Sequence, residues 1–464
     1  MSYSLRPYQQ EAVERVRLAF MAGHRAVLFV LPTGGGKTVV FSHIAEQAAA
    51  RGNRIAVLVH RAELLDQACR SLAAMGVRHG VIAAGRSMNL AAPVQVASVQ
   101  TLARRLAQLP ADLFQLLVVD EAHHSNAGTW AKVIGHFERA LLLGVTATPV
   151  RGDGRGLGEF YSALVLGPSA AWLCAEGYLA PARVFAPPLG FSVKGLRRRM
   201  GDFDLRQAAG ELGGSRILGD AVSHYLSHLS GSTAIAFCCS IAHAQAVAET
   251  FSERGVAAAS IDGSMDPLQR RRLLEQLGSG ELQVLTSCNL IGEGVDVPSV
   301  GGCLLLRPTQ SLALHLQMIG RCLRPQPGKE AVILDHVGNI ERLGHHLDEQ
   351  EWSLEGVRRR EQSKAPSVKT CPECFCAMAS AVSICPECGH QFRPEKRQLV
   401  TVAGELKELH QQELRRLRRR EQSEARTAEQ LEALGKQRGM KNPKGWARHV
   451  IASRQTRGQW GLLA

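Results

Sequence analysis

At 464 residues the chain is too long for one ordinary core, and 45% hydrophobic with 21% charged residues is the balance of a globular protein of about three domains. No stretch approaches the ~20 apolar residues of a membrane span, and the opening MSYSLRPYQQEAVERV has no signal-peptide core, so a cytoplasmic location without membrane contact is expected. The net charge of +13 gathers at the far end, where 17 Lys/Arg face 8 Asp/Glu from Gln391 onward, a balance that suits a solvated tail and nucleic-acid contact equally.

In chain order, short apolar runs alternate with helical patterns. RAVLFVLP (25–32), RIAVLVH (54–60), VQVASV (94–99), QLLVVDE (115–121) and ALLLGVTAT (140–148) read as strands buried on both faces. Between them, TVVFSHIAEQAAARG and RAELLDQACRSLAAMG carry apolar residues at helical spacing and close on Gly. This is βαβ logic and predicts a mostly parallel α/β domain over 1–185. A polar, Gly/Arg-rich connector follows (186–216). The alternation then restarts with TAIAFCCS, VAAASIDG, LQVLTSC, GGCLLLRP and EAVILDH, predicting a second α/β domain over 217–345. A charged linker (346–367), a cysteine-rich segment (368–393) and a basic helical tail (394–464) complete the chain.

The first strand runs into LPTGGGKT. A phosphate-binding loop needs glycines that turn backbone N–H groups inward, a Lys for the β/γ-phosphates and a hydroxyl for Mg²⁺. Gly34, Gly35, Gly36, Lys37 and Thr38 meet that need, although Leu31 stands where the usual pattern begins with Gly. At the end of QLLVV, Asp120 and Glu121 place two carboxylates on a buried strand end, which is costly unless they meet a cation or a proton-transfer task. The first suits Mg²⁺, shared with Thr38, and the second suits an attacking water.

PTGGGKT, DEAH (120–123) and TATP (146–149), in this order, resemble the motor of the superfamily 2 helicases, in which the leading Gly is often replaced. The resemblance implies two tandem RecA-like domains and ATP hydrolysis. LRPYQQ resembles the adenine-reading element, with Gln9 pairing to the base and Arg6 or Tyr8 packing on it, and Thr33 belongs to the phosphate loop. TSCNLIGEGVDVP (286–298), with Gly294 and Asp296, resembles the motif that contacts both nucleotide and nucleic acid. QMIGRCLRP resembles the signature that supplies Gln317 and the arginine fingers Arg321 and Arg324, three residues apart on one helix face. His123, Thr146 and Thr148 occupy the places that couple the nucleotide to the strand. The resemblance extends to bacterial RadD-type DNA-repair helicases and related phage helicases over about residues 1–345.

Seven cysteines are scattered over the first 322 residues, as small buried hydrophobes would be in a reducing compartment. The other five lie in CPECFCAMASAVSICPEC. Cys371, Cys374, Cys385 and Cys388 make two C-P-x-C knuckles, the spacing of a closed, structural Zn²⁺ site, with Cys376 and His390 as nearby substitutes. Trp446 among Lys441, Lys444, Arg448 and His449 suits either base stacking or the core of a small helical hairpin.

The expected function is a nucleic-acid-dependent ATPase using ATP, Mg²⁺ and Zn²⁺, acting as a DNA helicase or translocase in repair or recombination. The alternatives are an ATP-gated clamp that separates no strands, and an RNA helicase. Nucleic acid, DNA before RNA, is the expected partner, and the ribbon and the tail are the two places for a protein partner.

Overall fold

A computed structural model describes residues 4–124, 128–151, 155–186, 193, 195–199, 202–212, 215–288, 300–356 and 368–392, together with 421–422, 425, 427–438, 442–448 and 450–451 of the tail. Residues up to Phe392 form one compact unit, and those from Arg393 form another.

Seven strands make the first sheet: β1 (Ala26–Val30), β2 (Ile55–Val59), β3 (His79–Ile82), β4 (Val94–Ser98), β5 (Leu116–Asp120), β6 (Leu141–Thr146) and β7 (Ala163–Leu166). Their order is β3-β4-β2-β5-β6-β1-β7, and every pairing is parallel. Successive side chains of a strand point to opposite faces. Val27 and Phe29 of β1 accordingly pack with Val16, Phe41 and Leu64 of three helices. Leu28 and Val30 pack with Leu102 and Trp130 on the other side. Helices cover both faces, which is why the strands are continuous apolar runs rather than alternating ones.

The next strand, β8 (Ala182–Phe185), leaves this sheet. The sequence boundary at 185 put it with the first half, but β8 pairs in parallel with the last strand of the second sheet. The link between the sheets is therefore 167–181. A hairpin of β9 (Arg198–Arg199) and β10 (Asp202–Phe203) follows, within a segment that has no sequence period. The second sheet adds β11 (Ala234–Phe237), β12 (Ala258–Ile261), β13 (Val284–Ser287), β14 (Gly302–Leu305) and β15 (Ala331–Asp335). Its order is β12-β13-β11-β14-β15-β8, again all parallel. One apolar cluster runs from Val27 and Phe29 through Leu179 to Ile235, Leu285 and Ile333, so the interior is continuous between the sheets.

The cysteine segment folds as the antiparallel pair β16 (Val368–Thr370) and β17 (Ala377–Ala379). It is fastened to the free edge of β8: Phe185 bridges Cys376, the Ala186 N–H donates to the Phe375 carbonyl at 3.0 Å, and Arg183 pairs with Glu387 at 2.7 Å.

In the tail unit, Thr427 and Gln430 form a reciprocal cap on the helix Ala428–Gln437. Leu431, Ala447 and Val450 make a small core against which Trp446 packs, with Arg438 over its ring at 5.8 Å. Of the two sequence readings of Trp446, this packing is the helical core. Residues 404–420 of the expected tail helix, with Lys441 and His449, lie outside the described residues. Among the described residues no helix is long and apolar enough to cross a membrane.

Candidate nucleotide-binding cleft

The carboxyl ends of β1, β5 and β6 carry the candidate residues of the first sheet, where ligands of open parallel sheets sit. After β1 the chain turns through Gly34 (φ 88°) and Gly36 (φ 91°), left-handed conformations that suit glycine. Gly36 is also the N-cap of the helix Lys37–Ala50, so Lys37 and Thr38 open that helix at its electropositive end. A side chain at Gly34 would meet Leu179 Cδ2 at 2.7 Å, which places the inter-sheet link against the loop.

Lys37 has one hydrogen bond among the described residues, a long one of 3.4 Å from Nζ to the Leu31 carbonyl. Burial lowers its pKa; Glu121 and then Asp120 act in the opposite sense, and Arg321 acts with burial. The field at this ammonium thus comes from two carboxylates of the first sheet and an arginine of the second. A polyanion there would face Lys37 and Arg321 together, so these residues suit a nucleotide phosphate.

Asp120 ends β5 and accepts the Glu121 N–H at 3.0 Å. Glu121 has φ 52°, and Phe375 in the cysteine segment is its only non-glycine companion in the left-handed region among the described residues. Such a backbone costs about 1–3 kcal/mol and persists where the surroundings enforce it. Both carboxylates are buried, and Glu121 Oε2 makes no hydrogen bond within the protein. It lies 3.5 Å from His123 Nδ1. That nitrogen is also 3.1 Å from Thr146 Oγ1. The Thr146 hydroxyl donates to the Thr148 carbonyl at 2.9 Å and accepts from the Thr148 N–H at 3.1 Å. His123 Nδ1, set between Glu121 Oε2 and Thr146 Oγ1, thus links DEAH to TATP.

From the second sheet, the helix Leu312–Ile319 brings Gln317, 3% exposed, with Nε2 unbonded within the protein. Arg321 is buried just beyond the helix end and Arg324 is half-buried, so the two do not share a helix face as their spacing suggested: the helix stops at Ile319 and both lie in the turn and loop that follow. Gly320 lies against Thr33: a Cβ there would be 2.5 Å from Thr33 Cβ. The structure therefore brings Gln317 and Arg321 to the phosphate loop. Gly294 and Asp296 lie outside the described residues.

On the base side, Gln9 is buried and both ends of its amide are engaged. Oε1 accepts the Arg6 N–H at 3.0 Å, and Nε2 donates to the Gly35 carbonyl at 3.3 Å. Pairing with adenine requires these bonds to exchange. Tyr8 donates to the same carbonyl at 2.7 Å. Tyr178 stacks with Trp172 at 5.8 Å, and the exposed Arg6 lies over Tyr178 at 5.0 Å. Trp172 and Tyr178 escaped the sequence reading, because nothing in SAAWLCAEGYL marks them as neighbours of the loop.

The Sγ atoms of Cys371, Cys374, Cys385 and Cys388 all lie within 4.8 Å of one another, with Cys371–Cys388 at 3.6 Å and Cys374–Cys385 at 3.5 Å. Tetrahedral thiolates about 2.3 Å from zinc would be about 3.8 Å apart, so the donor set fits that ion. Cys376 and His390 are not in the cluster; Cys376 faces the core beneath it.

Two parallel sheets that share one phosphate loop, one carboxylate pair and one helix leading into Arg321 define a nucleotide-driven motor with its cleft between the domains. Residues 2–151 match the family described as type III restriction enzyme, res subunit, and residues 218–326 match the helicase conserved C-terminal domain. A 51.5 kDa protein of a Lactococcus phage (isolate 7-9) is 33% identical over 369 residues, 79% of this chain and 78% of the phage protein. IRC3 of Saccharomyces cerevisiae, named as an ATP-dependent helicase, is 28% identical over 72% of this chain, which spans about half (51%) of that protein. Among solved structures, a fragment of an HsdR subunit of a type I restriction enzyme from Vibrio vulnificus YJ016 has the same fold, with a TM-score of 0.59, 23% identity and coverage of 74% of this chain and 67% of that one. The chain belongs to the superfamily 2 helicases, which are ATP-hydrolysing, nucleic-acid-binding motors.

Proposed function

We propose that this chain moves along or unwinds DNA at the expense of ATP, in a cytoplasmic DNA-repair or recombination process. The observation that carries the reading is the close approach of Gly320 to Thr33, which sets the buried Arg321 of the second sheet at the loop that holds Lys37, whose own sheet supplies the buried Asp120 and Glu121. A site divided in this way is complete only when the cleft is closed, so ligation and release of the nucleotide open and close the two sheets against each other. The match of residues 2–151 to a restriction-enzyme subunit favours DNA as the track.

In this reading the loop amides of Gly34–Gly36 and Lys37 hold the phosphates, and Thr38 with Asp120 holds Mg²⁺, which when bound neutralises phosphate charge. Glu121 orients the attacking water and takes its proton. Gln317, Arg321 and Arg324 stabilise charge at the terminal phosphate. Arg6, Gln9 and Thr33 hold the base side and the loop, and Gly294 and Asp296 contribute from the second domain. His123, through Thr146 and Thr148, passes the state of the cleft to the strand-binding face. Zn²⁺ on the four cysteines is structural, and a thiolate site of this kind suits a reducing compartment.

The test is steady-state ATP hydrolysis without nucleic acid and with single-stranded DNA, duplex DNA or single-stranded RNA. Stimulation by DNA alone is expected. Lys37→Ala should lower turnover at least ~100-fold while DNA binding stays within a few-fold of the parent. Activation by RNA alone would move the track to RNA, and undiminished hydrolysis in Lys37→Ala would remove the loop from the site.

A further inference from the structure

Beyond the second sheet the chain returns to the first domain. The helix Asn339–Leu343 ends at Gly344, whose carbonyl lies 3.3 Å from His315 Nε2 on the helix that delivers Gln317 and Arg321. His346, two residues on from Gly344, is 4% exposed, and burial holds its pKa well below the usual value. A tight loop follows: Asp348 Oδ2 accepts the His345 N–H at 2.9 Å, and the Asp348 N–H donates to the His345 carbonyl at 3.0 Å.

The next residues dock on the first domain. The Leu354 carbonyl accepts the Gly158 N–H at 2.8 Å, and Gly356 bridges Arg155 in antiparallel fashion. Trp352 and Leu354 pack on the cluster that contains Leu28, Val30, Leu157 and Tyr161. Gly156 is needed for this approach, because any side chain there would collide with the Leu354 carbonyl and the Gly356 backbone. The docking segment lies just downstream of TATP, with the Arg151 N–H donating to the Arg155 carbonyl at 2.9 Å.

We propose that residues 344–356 form a strap that positions the Leu312–Ile319 helix, and Arg321 just beyond its end, over the phosphate loop by tying them to the first domain behind Thr146–Pro149. This rests on the ATP-hydrolysing reading above. Without the strap, only the 167–181 link and the apolar cluster shared by the sheets would hold the second sheet to the first. This second tether of thirteen residues (344–356) keeps Arg321 at high effective concentration beside the loop, and full opening requires the strap to peel from Gly156 and Gly158. Trp352, Leu354 and Gly156 are then positioning residues that act through Arg321.

The experiment is a double-mutant cycle on the full chain, with kcat and KM for ATP measured at saturating stimulatory nucleic acid. Gly156→Val and, as a milder second variant, Trp352→Ala should each lower kcat about 10-fold with KM within about 2-fold. In an Arg321→Lys background the same strap variants should change kcat less than about 2-fold, because the positioning they destroy is already without value. Independent losses that multiply in the two backgrounds would overturn the proposal, as would parent-like kcat in a variant that melts normally.

Hydrogen exchange separates this from failure of the motor reading. Trp352→Ala should speed exchange at the Gly158 amide at least about 10-fold while Gly167, which donates to the Val30 carbonyl at 2.8 Å, stays protected. A parent that hydrolyses no ATP would remove the motor reading, and an unchanged Gly158 amide would remove the strap.

Discussion

Gly320 shows how narrow the tolerances are at single residues. Nothing in its own backbone demands glycine, since it sits at the end of the Leu312–Ile319 helix with φ −58°. Its neighbour does: Thr33 Cβ and Cγ2 would stand 2.5 and 2.7 Å from an added Cβ. Gly320→Ala should therefore lift the Leu312–Ile319 helix and Arg321 from the phosphate loop and reduce kcat about 10- to 100-fold, with little effect on melting temperature. Thr33→Gly in the same chain should restore part of the loss, and kinetics of the single and double variants would decide it. Glu121 is the complementary case. Its left-handed backbone, held between Asp120 and His123, aims a buried carboxylate that no local preference would place there.

Among the elements, the cysteine segment behaves as a continuation of the second sheet. Cys371, Cys376, Met378 and Cys385 share a core with Phe185, Val332 and Leu334, and Arg183 ties β8 to Glu387. If the four thiols hold zinc, removing it should unpin the edge of that sheet rather than disturb the phosphate loop. Strong chelation, or Cys374→Ser, is expected to lower the melting temperature by about 5–15 °C. At temperatures below the transition, ATP turnover should fall far less than in Lys37→Ala. Turnover lost in parallel with zinc at low temperature would instead make the ribbon part of the motor. The same edge explains the misplaced domain boundary: β8 is a short apolar run after the first sheet, and only its pairing with β15 assigns it to the second.

For the molecule as a whole, acid sensitivity follows from the buried histidines His243, His315, His336 and His346, all lowered by burial. Burial lowers His243 and His315 to about 4 and His336 to about 3, with His224 at 2.9 Å from His336 adding to the effect. In the unfolded chain these rings titrate near 6.5. Above that pH they are neutral in both states and contribute no pH dependence. As pH falls below 6.5 the unfolded chain takes up protons that the folded one refuses, so stability drops until about pH 4 to 3. Melting temperature should decline steadily from pH 6.5 to 4, and a flat profile over that range would mean that the rings are accessible.

Much of the chemistry was legible in the sequence because its geometry is local. A glycine loop that opens a helix, two carboxylates at a strand end and paired C-P-x-C knuckles each place their atoms within a few residues, and the all-apolar strands announced sheets covered on both faces. The sheet that takes β8, the contact of Thr33 with Gly320, the exclusion of Cys376 from the thiol cluster and the strap from Gly344 to Gly356 were decided by tertiary structure alone. Each depends on surfaces tens to hundreds of residues apart, and no periodicity records which surfaces will meet.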